Sequence, residues 1–119
     1  MARIFATFQE GMNKNQILLY QSSYEDIVKG EHHTGGHSEA QSHFHVVKQA
    51  IENPDQINQD ADYKNRKCYY VKFPGDEVYG EQFMKVVIKE RRLLGRMVVV
   101  TAYFTSHIKT NETKIWSKI

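Results

Sequence analysis

The sequence holds a single cysteine, Cys68, among 119 residues. A disulfide framework within the chain is therefore excluded, and a cytoplasmic setting is the expectation. No apolar stretch approaches the roughly 18 residues of a membrane-spanning helix. The opening MARIFATFQEGMNKNQ lacks the apolar run of a secretory signal. There is no Gly-rich phosphate loop, no H-E-x-x-H and no C-x-x-C, and the carboxylates show no paired spacing. These absences remove the commonest nucleotide, zinc-hydrolase and thiol-redox chemistries. No internal repeat or low-complexity segment is present.

What is there suits one domain, with about two-thirds of the unfolded chain's surface removed from water on folding. The net charge of +2 hides an asymmetry: residues 1–63 balance to −5 and residues 64–119 to +7. A basic half on a near-neutral chain suggests a polyanionic partner, because clustered Lys and Arg attract phosphate and release counterions. An even scatter of charges over a solvated sheet is the plainer explanation.

Turn and cap signals divide the chain. Residues 3–8 and 16–21 read as strands around the turn signal Gly11–Asn15, so residues 1–21 are expected to form an N-terminal hairpin. Ser22 and Ser23 can cap a short helix that starts near Tyr24 and ends at Gly30. Ser38 and Gln41 have capping-box spacing. Ala40, Phe44, Val47 and Ile51 then form one apolar stripe, and Asn53-Pro54 stops the helix 38–52. Residues 55–65 read as a polar loop anchored by Ile57. Strands follow at 67–73, 83–90 and 96–104, and their short connections favour an antiparallel meander. Residues 108–119 read as a last strand or a tail.

Side chains alternate along a strand, so parity assigns faces. Tyr69, Val71 and Phe73 form one set on the first of these strands; Arg66, Cys68, Tyr70 and Lys72 form the other. Val86 and Ile88 oppose Lys85, Val87 and Lys89. Val98, Val100, Ala102 and Phe104 oppose Val99, Thr101, Tyr103 and Thr105. The helix is expected on the apolar face. The opposite face then carries Arg66, Tyr70, Thr101, Tyr103 and several lysines. That face is either a solvated outer surface or a binding surface.

Five of the six histidines lie within residues 32–45. A zinc site built on them is disfavoured, because Gly35-Gly36 interrupts His33 and His37, while His43 and His45 point to different sides of a helix. Those last two read as partly exposed helix residues. Metal-free RNA cleavage needs a base for the ribose 2′-OH, an acid for the leaving oxygen and cations for the phosphoryl group. Histidine suits the proton transfers and Arg or Lys the phosphate. His37 at a helix start, with Arg66, Tyr70, Thr101 and Lys109, offers those groups. A helix-start histidine is more commonly a cap or a surface residue.

The segments H-S-E (37–39), I-E-N-P-D-Q-I (51–57), R-K-C-Y-Y (66–70), K-V-V-I (85–88) and V-V-T-A-Y (99–103) resemble the small phage-associated nucleases of the barnase–EndoU–colicin–RelE superfamily. The resemblance covers roughly residues 16–109. It implies an α+β fold in which N-terminal helices pack on one face of a small antiparallel β-sheet, with residues 37–109 as the helix-plus-sheet core. It implies a toxin-type or phage-type endoribonuclease that works without a metal or other cofactor, by 2′-OH attack on the adjacent phosphate. By position, His37, Arg66, Tyr70 and Thr101 match the family's catalytic pattern, and Lys109 lies near the place of a frequent basic residue. Lys72, Tyr103 and Thr105 would line the substrate. The expected partners are RNA and a cognate antitoxin or immunity protein, with no membrane. The chain departs from the family's H-P-E at Ser38, and His32 or His33 could take the role of His37. A non-catalytic RNA- or protein-binding module on the same fold is the alternative.

Overall fold

The computed structural model describes residues 3–11, 14–29, 39–91 and 96–118. Their architecture is α+β: one mixed sheet of seven strands with a few short helices. The elements run β1 (Ile4–Gln9), β2 (Gln16–Tyr20), α1 (Gln21–Lys29), α2 (Glu39–Ser42), α3 (Phe44–Glu52), β3 (Gln56–Gln59), β4 (Arg66–Phe73), β5 (Gln82–Arg91), β6 (Arg96–Thr105) and β7 (Thr113–Ser117). Across the sheet the order is β1-β2-β6-β5-β4-β3-β7. No helix among the described residues is long and apolar enough to cross a membrane.

The N-terminal hairpin pairs antiparallel, with Phe8 opposite Ile17. Its turn uses a left-handed Lys14 at φ 61°. Gly11 lies against the end of α3, donating its N–H to the Ile51 carbonyl, and a Cβ there would collide with the Glu52 carbonyl. The hairpin joins the meander through β2, which runs parallel to β6. The expected all-antiparallel sheet is thus corrected to a mixed one. Local periodicity reveals strands and not where a hairpin docks, and everything from α1 to β5 serves as the long connection that a parallel pair requires.

The helical stripe behaves as its spacing predicts. Ala40, Val47 and Ile51 are buried in the main core and Phe44 packs against it. The expected continuous helix 38–52 is corrected to two pieces, α2 and α3, with His43 at the junction in a non-helical conformation (φ −121°, ψ 41°). His43 turns its ring into the protein: Nε2 lies 2.7 Å from Asp76 Oδ2, and the rings of Phe73, Tyr79 and Phe104 surround it edge-on. His45 is exposed, as the sequence suggests.

Parity holds for β4 and β5. Tyr69, Val71, Phe73, Met84, Val86 and Ile88 face the helices, whereas Cys68, Tyr70 and Val87 form a second cluster on the other side. It fails halfway along β6. Val87 pairs with Thr101 but Ile88 pairs with Val99, so Val100 is an extra residue, a bulge. Ala102 and Phe104 keep the predicted face, but before the bulge Met97 and Val99 enter the main core and Val100 packs on the opposite side. The sequence V-V-V-T cannot show this, because valine suits either face.

Residues 55–65 contain a strand that the sequence reading places in a loop. β3 pairs with β4 on one side and β7 on the other. Ile57 is its only apolar residue, so no alternation betrays it; the anchoring role of Ile57 is as expected, 4% exposed in the core.

Candidate nucleic-acid face of the sheet

Opposite the helices, cross-strand register sets out rows of side chains. The first is Arg66, Lys89 and Val98; the second Cys68, Val87 and Thr101; the third Tyr70, Lys85 and Tyr103; the last Lys72, Phe83 and Thr105. Asn58 and Gln56 of β3 extend the second and third rows. This face is not an open platform. The chain between β6 and β7, residues 106–112, carries Ile108 onto the Cys68–Tyr70–Val87 cluster and drives Glu112 into the middle of the face.

Glu112 organises a buried polar network. Its carboxylate accepts hydrogen bonds from Tyr70 Oη at 2.6 Å, Asn58 Nδ2 at 3.1 Å and Lys85 Nζ at 2.7 Å. The Lys85 and Glu112 side chains are only 4% and 2% exposed. Burial alone would raise the Glu112 pKa, but the bonds from Lys85, Tyr70 and Asn58 outweigh it and hold the carboxyl below its ordinary value. Burial likewise pulls against the Lys85 ammonium, and the Glu112 bond overrides it, so the Lys85 pKa is raised. Burial, then Glu112, pushes the Tyr70 hydroxyl up. Burial also pushes the Cys68 thiol up to about 12, against the opposing pull of Lys85. Asp60, Cys68 and Glu112 bring one potential ligand atom each within 4.8 Å of one another. A thiol this reluctant to ionise, beside a carboxylate held by an ammonium, fits an ion-paired core better than a divalent cation.

The described residues of the site expected from sequence are spread along this face rather than gathered at one point. His37, with its alternatives His32 and His33, lies outside the described residues. Tyr70 has no exposed surface, and its hydroxyl donates a hydrogen bond to Glu112. Tyr103 is half-buried across Lys85 from Tyr70, with Lys85 Nζ 5.8 Å from its ring centroid. Thr101 is half-buried opposite Val87. Thr105 donates its hydroxyl to the His107 carbonyl at 3.1 Å. Lys109 is exposed on the crossing segment. Lys72 lies at the far end of β4, exposed and 3.4 Å from Glu81. Arg66 opens β4 about 13 Å from Tyr70, at about 3.3 Å per residue. α2, whose Glu39 Oε2 accepts the Phe104 N–H at 3.2 Å, packs on the opposite face of the sheet.

Three groups that sequence reading did not single out stand out on this face, two of them beside Arg66. Lys89 is its in-register neighbour. Tyr63 lies under its guanidinium, with Cζ 4.2 Å from the ring centroid. Glu112 is the only acid after Glu90, a lone acid in a basic stretch, and that was the signal available for it. Arg66 and Lys89 make no ion pair with any described residue, whereas Lys67, Lys72, Lys85 and Lys118 are each matched to a carboxylate. The Arg66 Nε is shielded from solvent with no hydrogen-bond partner.

Comparison with protein-family models found no match, and neither the curated proteins nor the solved structures gave one.

Proposed function

We propose that this domain binds RNA through the Arg66–Lys89 end of the face opposite its helices. The observation that carries the reading is the register of those two cations. Like charges directly opposite on adjacent strands destabilise a sheet, and an anion between them turns that cost into binding energy. Phosphodiester oxygens suit the site, because a guanidinium offers paired donors to them. The positive balance of residues 64–119 supports a polyanion over a neutral partner.

The second reading is a metal-independent ribonuclease with the barnase–EndoU–colicin–RelE arrangement. It is favoured by the sequence resemblance and by the hydroxyls of Thr101 and Tyr103 on the same face. In this reading His37 supplies the proton transfers to and from the 2′-OH and the leaving oxygen, and Arg66 steadies the phosphoryl charge. Toxin or phage delivery and a cognate inhibitor follow only from it.

Purified protein incubated with total RNA in EDTA separates the two. Binding predicts retarded but intact RNA, with retardation lost in Arg66→Ala/Lys89→Ala. Ribonuclease activity predicts fragments that vanish in His37→Ala. RNA that is neither retarded nor cut would end both readings.

A further inference from the structure

Resting on the RNA-binding reading, we propose that the turn at residues 60–65 is a stacking subsite for one unpaired nucleotide, its base on the outward face of Tyr63 and its phosphate at Arg66 and Lys89. Tyr63 is 53% exposed. One face of the ring is taken by the Arg66 guanidinium at 4.2 Å. A cation on one face holds the ring in place and leaves the other as a platform.

The turn that presents Tyr63 is tied from several directions. Asp60 Oδ2 accepts the N–H of Asp62 at 3.0 Å and of Tyr63 at 2.9 Å. The Gln59 side-chain amide reaches the carbonyl oxygens of Tyr63, Lys64 and Arg66 at 3.0, 3.2 and 3.0 Å. The Asn65 carbonyl accepts the Glu90 N–H at 2.8 Å. A ring fixed in this way loses little freedom when a base stacks on it, and preorganisation of that kind raises affinity. The Arg66 Nε has no hydrogen-bond partner among the described residues.

A flat aromatic platform beside a cation pair selects an unpaired base. Bases in a duplex are already stacked on one another and offer no free face to the ring. The subsite therefore gives preference for single strands without a sequence code, because every base has a stacking face.

Fluorescence anisotropy with a labelled single-stranded oligoribonucleotide and a labelled duplex of the same sequence tests this. Tyr63→Ala should weaken single-strand binding about tenfold and leave duplex binding unchanged, whereas Tyr63→Phe should stay within about twofold of wild type. The residue is exposed, so neither variant should disturb folding. Tyr63→Ala that binds single strands as wild type does overturns the subsite; if Arg66→Ala/Lys89→Ala still loses affinity, the wider reading stands without it. Wild-type protein that binds no RNA overturns both.

Discussion

Replacing Glu112 with alanine should cost the fold about 3–5 kcal/mol, because it strands the Lys85 ammonium in a buried site. Urea denaturation of the two proteins at neutral pH measures this as a fall in the midpoint at unchanged slope. The pair Lys85→Met/Glu112→Leu should recover part of the loss, since it removes both charges but leaves the buried Tyr70 hydroxyl and Asn58 amide without their acceptor. The pH dependence follows from the directions of the shifts. Glu112 has its folded pKa depressed below 4.5. Its contribution is therefore complete above that value and fades as pH falls through the folded pKa. Lys85 has its folded pKa raised above 10.5, so its contribution is complete below 10.5 and fades as pH rises through the folded pKa. The contribution of the pair should be level between these limits, and Glu112→Gln should flatten the acid limb. A loss below about 1 kcal/mol in Glu112→Ala would place the pair with ordinary surface bridges.

The neighbouring tyrosines carry the second large effect. Tyr69 and Tyr70 are both without exposed surface, and each donates its hydroxyl to a buried carboxylate, Glu10 on the helix side and Glu112 on the other. Burial and the Glu10 bond raise the Tyr69 pKa, as burial and Glu112 do for Tyr70. Tyr69→Phe and Tyr70→Phe should each cost about 1–3 kcal/mol, by leaving a buried carboxylate one donor short. Lying on opposite faces, with no shared partner, they should add in the double variant. Thermal unfolding of the three variants reads this. Tyr70→Phe also decides between structure and chemistry at that position. A structural Tyr70 predicts lower stability with unchanged RNA affinity and any cleavage retained; a fold of full stability with lost cleavage would return Tyr70 to the reacting groups.

The β4–β5–β6 meander and the stripe from Ala40 to Ile51 are legible in the sequence because each repeats a period that only one secondary structure satisfies. What escapes is set by non-local contacts. The bulge at Val100 hides among valines. β3 hides because its flanking strands, and not its own apolar residues, hold it. The face carrying Arg66, Tyr70 and Thr101 is readable by parity, but its covering is not: nothing local to residues 106–112 says that they fold back across Tyr70 and bury Glu112. The same contact explains why the basic balance of the second half overstates the open cationic surface. Lys85 is neutralised from within, and Lys67, Lys72 and Lys118 pair locally. Among the described residues, Arg66 and Lys89 are a facing pair of cations that no carboxylate neutralises.

Titrating a single-stranded RNA with wild-type protein and with Arg66→Ala/Lys89→Ala over a series of salt concentrations tests the central claim most directly. Each phosphate neutralised on a single strand contributes a slope of about −0.7 in log K against log salt. The account predicts tight, salt-sensitive binding by the wild type and a slope shallower by about 1.4 in the variant. Equal slopes for the two proteins, or no binding by the wild type, would contradict it.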